Sequence, residues 1–149
     1  MNQNEVYDFP TEEVELPSKG LVYPKENPLS SGKVVMRYMT AAHEDILTNQ
    51  NYIKNGTVID KLLKALIVSK INYDDMIVGD KNAIMIAARV LGYGKDYEIE
   101  WRGQKITIDL SKIEPNPLDE KLFVQGKNEF YFKLPHSGIT LKYKLLTNN

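Results

Sequence analysis

Residues 92–110 read "GYGKDYEIEWRGQKITIDL", and the spacing of apolar residues changes inside them. Before this stretch apolar residues recur at three- and four-residue steps; from Lys95 they recur at every second position. Tyr97, Ile99 and Trp101 then share one face of a strand, and Ile106, Ile108 and Leu110 share one face of the next. "RGQK" at 102–105 predicts the hairpin between them. Helices first and antiparallel hairpins afterwards imply an α+β fold.

Toward the N-terminus, "KNAIMIAARVLGYG" predicts a helix over 80–92, capped by Asp80 and stopped by Gly92 and Gly94. Apolar residues cover nearly all of it from Ala83 to Leu91, so it is expected to be central and mostly buried. Arg89 interrupts that run: it could be a functional cation in a cleft, but more often such a residue reaches an internal carboxylate or the helix edge. "TVIDKLLKALIVSK" predicts the clearest amphipathic helix, over 57–69. There Ile59, Leu62, Leu63 and Leu66 face one way and Asp60, Lys61 and Lys64 the other. Thr40 caps a short helix at 41–48, and "NQNYIKNG" reads as a connector. "KVVMRYM", after Gly32, reads as a strand. Residues 1–32 hold Pro10, Pro17, Gly20, Pro24, Pro28 and Gly32, which exclude a long helix and predict an extended arm with turns. Toward the C-terminus, "EPNP" punctuates, and a second hairpin is expected over 128–146. Phe130, Phe132 and Leu134 line one strand and Ile139, Leu141, Tyr143 and Leu145 the other. The expected organisation is an arm over 1–32 and a single α+β domain over 33–149. In it, a three-helix N-terminal half packs with C-terminal hairpins.

The chain has 149 residues, 42% of them hydrophobic, which suits one domain with a real core. A net charge of −1 gives the whole molecule no electrostatic case for nucleic acid or an anionic membrane. The charges are uneven. Glu5, Asp8, Glu12, Glu13 and Glu15 stand in residues 1–17 without a basic residue, and five lysines face one acid, Glu129, in 121–149. Two solvated surfaces, or an acidic arm and a basic docking face, both fit this pattern. The absence of cysteine excludes disulfides, thiolate nucleophiles and cysteine zinc sites. "MNQNEVYDFP" has neither the basic start nor the apolar run of a signal peptide, and "AIMIAARVL" is far short of the roughly 20 residues of a membrane span. A soluble intracellular protein is the expectation.

"TAAHEDILTNQ" at 40–50 places a histidine beside two carboxylates. Consecutive helical residues point about 100° apart, so His43, Glu44 and Asp45 do not converge on one ion. Asp74 and Asp75 lack the alternating oxygen ligands of a calcium loop. Neither a nucleophile elbow nor a phosphate-binding loop occurs, and the Gly-x-Gly at 92–94 ends a helix where a dinucleotide site would open one. No cofactor, metal or catalytic residue is expected, and an enzyme is disfavoured. "FYFKL" and "LKYKL" interleave aromatics with lysines, as single-strand nucleic-acid platforms do and as half-buried sheets also do.

The combination of "ELPSKGLVYP", "NPLSSGKVVMRYMTAAHEDILTNQNYIKNGTVIDKLLKALIV" and "VGDKNAIMIAARVLGYGKDYEIE" resembles the baseplate hub and tail assembly protein family of T-even-type myophages, typified by the product of gene twenty-six. The resemblance covers about residues 15–113. It implies a non-enzymatic role in building the baseplate hub of a contractile tail, with hub or tail proteins as partners and no membrane. The implied place is the host cytoplasm during assembly, or the virion baseplate. It makes "EDILT" an architectural signature, with Glu44 and Asp45 at a helix start, Ile46 and Leu47 packed inward and His43 incidental. Relatives often carry Cys-x-x-Cys where this chain has "RGQK", so zinc is not expected here. Partner contacts are expected from Leu16, Leu21 and Tyr23 of the arm and from Glu44 and Asp45. The other function class is a single-stranded nucleic-acid-binding module built on the aromatic, lysine-bearing C-terminal hairpin.

Overall fold

The computed structural model describes residues 7–147. Among them are four α-helices and three two-stranded sheets, so the chain is α+β. It divides into two compact units, each made of three separate segments. The first comprises Met1–Val14, Val34–Ser69 and Ile84–Glu114; the second comprises Glu15–Lys33, Lys70–Ala83 and Pro115–Asn149. The expected division at residue 32 therefore does not describe the chain. Residues 15–33 are not an arm but the first segment of the second unit.

β1 (Thr11–Glu15) pairs with β2 (Lys33–Arg37), and all but Glu15 and Lys33 of these strands belong to the first unit. The Tyr38 N–H to the Pro10 carbonyl and the Leu16 N–H to the Gly32 carbonyl bracket an antiparallel register. Helices α1 (Ala41–Thr48), α2 (Gln50–Lys54) and α3 (Val58–Leu66) follow. α2 occupies the expected connector. Its cap is Asn49, whose side-chain oxygen accepts from the N–H groups of Asn51 and Tyr52 and so satisfies two donors a helix start leaves open.

α3 keeps its expected face, with Leu62, Leu63 and Leu66 buried and Lys61 and Lys64 exposed. It stops at Leu66, three residues early, because Ile67 and Val68 join β2 instead. Met36 bridges Ile67, the Val68 N–H donates to the Val35 carbonyl at 2.8 Å, and the Val35 N–H donates to Ser69 Oγ at 2.7 Å. For β-branched residues, strand pairing is a better use of the backbone than another helical turn.

α4 (Val78–Tyr93) begins two residues before Asp80 and ends at Gly94, whose N–H donates to the Val90 carbonyl. The expectation of a mostly buried helix is corrected. Within it only Asp80, Ile84 and Ala88 are buried, a single stripe at four-residue steps, while Met85 is exposed. Arg89 takes the edge: it donates to the Gly94 carbonyl at 3.0 Å and lies over the rings of Tyr93 and Tyr97. β3 (Asp96–Trp101) and β4 (Gln104–Asp109) then form the expected hairpin, with Tyr97 opposite Ile108, Ile99 opposite Ile106 and Trp101 opposite Gln104.

In the second unit, residues 16–32 fold back through successive turns, with Leu16, Val22, Tyr23 and Leu29 buried together with Tyr73, Met76, Ile77 and Phe130. The close approach within this segment needs glycine. A Cβ on Gly20 would run into the Ser30 carbonyl, and one on Gly32 would lie 2.8 Å from the Lys19 carbonyl oxygen. β5 (Phe130–Lys133) and β6 (Thr140–Tyr143) form the second expected hairpin. Asn128 closes its base by donating to the Leu145 carbonyl and accepting from the Leu145 N–H.

Candidate functional site

The five residues expected to touch a partner fall into different environments. Leu16 and Tyr23 are 2% and 3% exposed, so their side chains offer no surface and are withdrawn from the partner face. Leu21 is half-buried, whereas Glu44 and Asp45 are exposed on α1.

The "HED" triplet separates by burial: Glu44 and Asp45 face solvent and His43 is buried. The histidine is not incidental. Its Nδ1 lies 3.0 Å from the Thr40 N–H and 2.8 Å from Thr40 Oγ1, and its own N–H donates to the Thr40 carbonyl. His43 thus fills the role of the third helical residue in a capping box, normally Glu or Gln. Accepting from the Thr40 N–H requires an unprotonated Nδ1. Burial, and then the Arg37 charge, lower its pKa from the ordinary 6.5, against an opposing hydrogen bond to the Ala65 backbone. Arg37 is itself fixed by stacking over Phe9 at 3.7 Å.

A folded-state pKa below the unfolded one makes this contribution complete above about pH 6.5 and lost progressively as pH falls below it. We expect His43→Ala to destabilise by about 0.5–2 kcal/mol, the range for loss of a helix cap. His43→Gln should recover much of that loss and remove the acid dependence. An alanine variant as stable as the parent in urea at pH 7.5 would return the histidine to a bystander.

In the second unit the centre is Asp80, 0% exposed. Its Oδ1 accepts from the Ser18 N–H at 2.9 Å, and its Oδ2 accepts from Ser18 Oγ at 2.7 Å and from the Tyr23 hydroxyl at 2.6 Å. The Tyr23 oxygen accepts in turn from the Ile77 N–H at 3.0 Å, and Ser18 Oγ from the Gly20 N–H at 3.1 Å. Asp80 also sits in the first turn of α4, where the helix dipole favours an anion. Burial, followed by the hydrogen bond and charge of Asp80, raises the Tyr23 phenol far above its ordinary 10.0. Such a proton is held, not exchanged. The cluster ties residues 18–23 to α4 and is a structural lock.

Asp75 is likewise occupied: its two oxygens accept from the side-chain amides of Asn72 and Asn27. Among the described residues, no group of three or more His, Cys, Asp or Glu side chains is placed to hold a metal.

Surface chemistry concentrates on the hairpins. On β5–β6, Phe130 packs edge-on to Phe123 and stacks on Tyr143, anchoring one end of the apolar face. The other end is open: Phe132 is 54% exposed and its partner Leu141 46%. The opposite face pairs Tyr131 with Lys142 and Lys133 with Thr140. Aromatics and lysines are therefore largely sorted to different faces, and Lys142 is 2.8 Å from Glu129. That pair lowers the Glu129 pKa and raises that of Lys142.

On β3–β4 the apolar face is open too, with Tyr97 44%, Ile106 39% and Trp101 60% exposed. Sequence reading missed this exposure because alternation identifies an apolar face but not whether anything covers it. The available clue was Arg102 in a two-residue turn, a position where Asn or Asp is favoured. Comparison of the chain with protein-family models, with curated proteins and with solved structures finds no match.

Proposed function

We propose that this chain is a non-enzymatic phage protein that acts through protein–protein contacts in assembling the baseplate hub of a contractile tail. The observation that carries the binding part of this reading is the pair of open apolar hairpin faces. A two-stranded ribbon is marginally stable in water by itself, and an exposed cluster of aromatic and aliphatic side chains is the usual mark of an interaction surface. The identity of the partner rests on the resemblance of residues 15–113 to the hub and tail assembly family. Glu44 and Asp45, exposed on α1, remain candidate contacts, with Leu21 at the margin. In this reading the protein works in the host cytoplasm during assembly, and the virion baseplate is where it would be retained. Among the described residues no helix is long and apolar enough to cross a membrane.

The second reading, a single-stranded nucleic-acid module, has one observation in its favour: Tyr131, Lys133 and Lys142 share a face. It is the weaker of the two because that face presents one aromatic and its Lys142 charge is matched by Glu129.

The test is affinity purification of the tagged full chain from infected cells, with identification of the bound proteins. Capture of hub or tail proteins, unchanged by nuclease, is expected. Absence of any tail protein, or retention of nucleic acid that falls steeply between low and moderate salt, would overturn the assignment.

A further inference from the structure

We propose that the Tyr97–Ile99–Trp101–Ile106 face of the β3–β4 hairpin is a docking surface for an amphipathic helix of a partner protein carrying carboxylates at both ends of its apolar stripe. The inference rests on the protein-binding reading above and specifies which face binds and what chemistry it recognises.

Three observations carry it. First, the ribbon is sorted by charge: Asp96, Glu98, Glu100 and Lys105 alternate onto one face, and the apolar residues occupy the other. Second, a guanidinium stands at each end of the apolar face. Arg89 lies 5.6 Å from the Tyr97 ring centre and Arg102 lies 5.7 Å from that of Trp101. Neither makes an ion pair among the described residues, so both charges are available to a carboxylate. Third, Arg102 holds φ +52° and Gly103 φ +76°, the pair of positive angles a type I′ turn needs. Asn or Asp adopts that first position more readily than Arg, so the turn trades local stability for a cation beside an exposed tryptophan. Trp, Tyr and Arg are also the residue types that dominate binding hot spots.

The dimensions select a helix. Tyr97 and Trp101 stand about 13 Å apart along the strand, a length that about nine helical residues span. A sheet presenting one apolar face is ordinarily covered by a helix or a second sheet, and a two-stranded ribbon is about as wide as one helix.

Trp101 is the single tryptophan of the chain, so its emission reads this face alone. The probe is a helix-forming peptide of about 18 residues with a leucine stripe and glutamates at both ends, compared with the same stripe flanked by lysines. Added to the full chain, the glutamate peptide should give a saturable blue shift, with affinity at least about ten-fold above the lysine peptide. Arg102→Glu should reduce or reverse that preference. Arg102→Asn should raise the melting temperature while weakening the glutamate peptide, a combination that a purely structural arginine does not give. Equal affinity for the two peptides, no shift with either, a shift that follows the chain's own concentration, or one produced by oligothymidine instead would each overturn the proposal. Tail-protein capture that survives Trp101→Ala and Arg102→Glu would also reject this face, while leaving the protein-binding reading in place. Absence of any captured tail protein would reject that reading itself.

Discussion

Asp80→Ala is expected to destabilise the protein by about 3–5 kcal/mol, because it strands several buried donors at once. The Ser18 N–H, the Ser18 hydroxyl and the Tyr23 hydroxyl all donate to this one carboxylate. Each buried donor left without an acceptor costs about 1–3 kcal/mol, and water cannot easily reach a site whose central residue has no accessible surface. The gain in helix propensity from Asp to Ala is about 0.7 kcal/mol or less and does not compensate. Asp80→Asn should fall between the two, since it keeps one acceptor but turns an N–H₂ toward hydroxyls that also need to donate. The measurement is urea unfolding followed by far-UV circular dichroism, and a loss under about 1 kcal/mol would show that the lock is slack.

The same lock has an alkaline signature. Tyr23 holds its proton in the folded state well beyond the ordinary 10.0, while the unfolded chain releases it there. Stability from this group is complete below pH 10 and declines as pH rises above it. Tyr23→Phe should remove that decline along with part of the neutral-pH stability.

Leu66→Ala is the second large effect, expected at about 2–5 kcal/mol. Leu66 is fully buried in the first unit, where Leu62, Leu63, Val34 and Met36 are also buried. Truncation deletes three carbons from an interior too dense to close the gap. A loss below about 1 kcal/mol would mean that the α3 face packs loosely. Hydrogen exchange on the two variants would also reveal whether each lesion stays within its own unit or spreads to both.

The local features were the legible ones. The hairpin at 96–109 follows from alternation around Arg102–Gly103, and the buried face of α3 from the spacing of Leu62, Leu63 and Leu66. Distant partners were not. Ser18 and Asp80 are 62 residues apart, and nothing near "GDKN" indicates what its aspartate will hold. The same blindness made residues 15–32 part of an arm. Breakers identify a segment without helices, but Leu16 and Tyr23 enter a core assembled from residues far along the chain. Ile67 and Val68 failed for that reason too, since their pairing with β2 overrides a helical pattern. Asn49 was a missed local signal, a capping residue in front of α2. At the candidate interface, the sequence displayed the apolar stripe of β3–β4 but not its exposure.

The alternation of segments between the two units has a consequence for biosynthesis. The chain passes between them five times, through six alternating segments. As it leaves the ribosome, the first unit lacks its last strands until residue 114 has emerged, and the second cannot close before its final segment follows. The second unit therefore closes last, after the first has all of its segments, and both rely on contacts of long sequence separation, which form slowly. No single truncation yields one unit alone, and a premature stop anywhere before the last segment removes the β5–β6 hairpin and leaves the Asp80 lock without part of its surroundings.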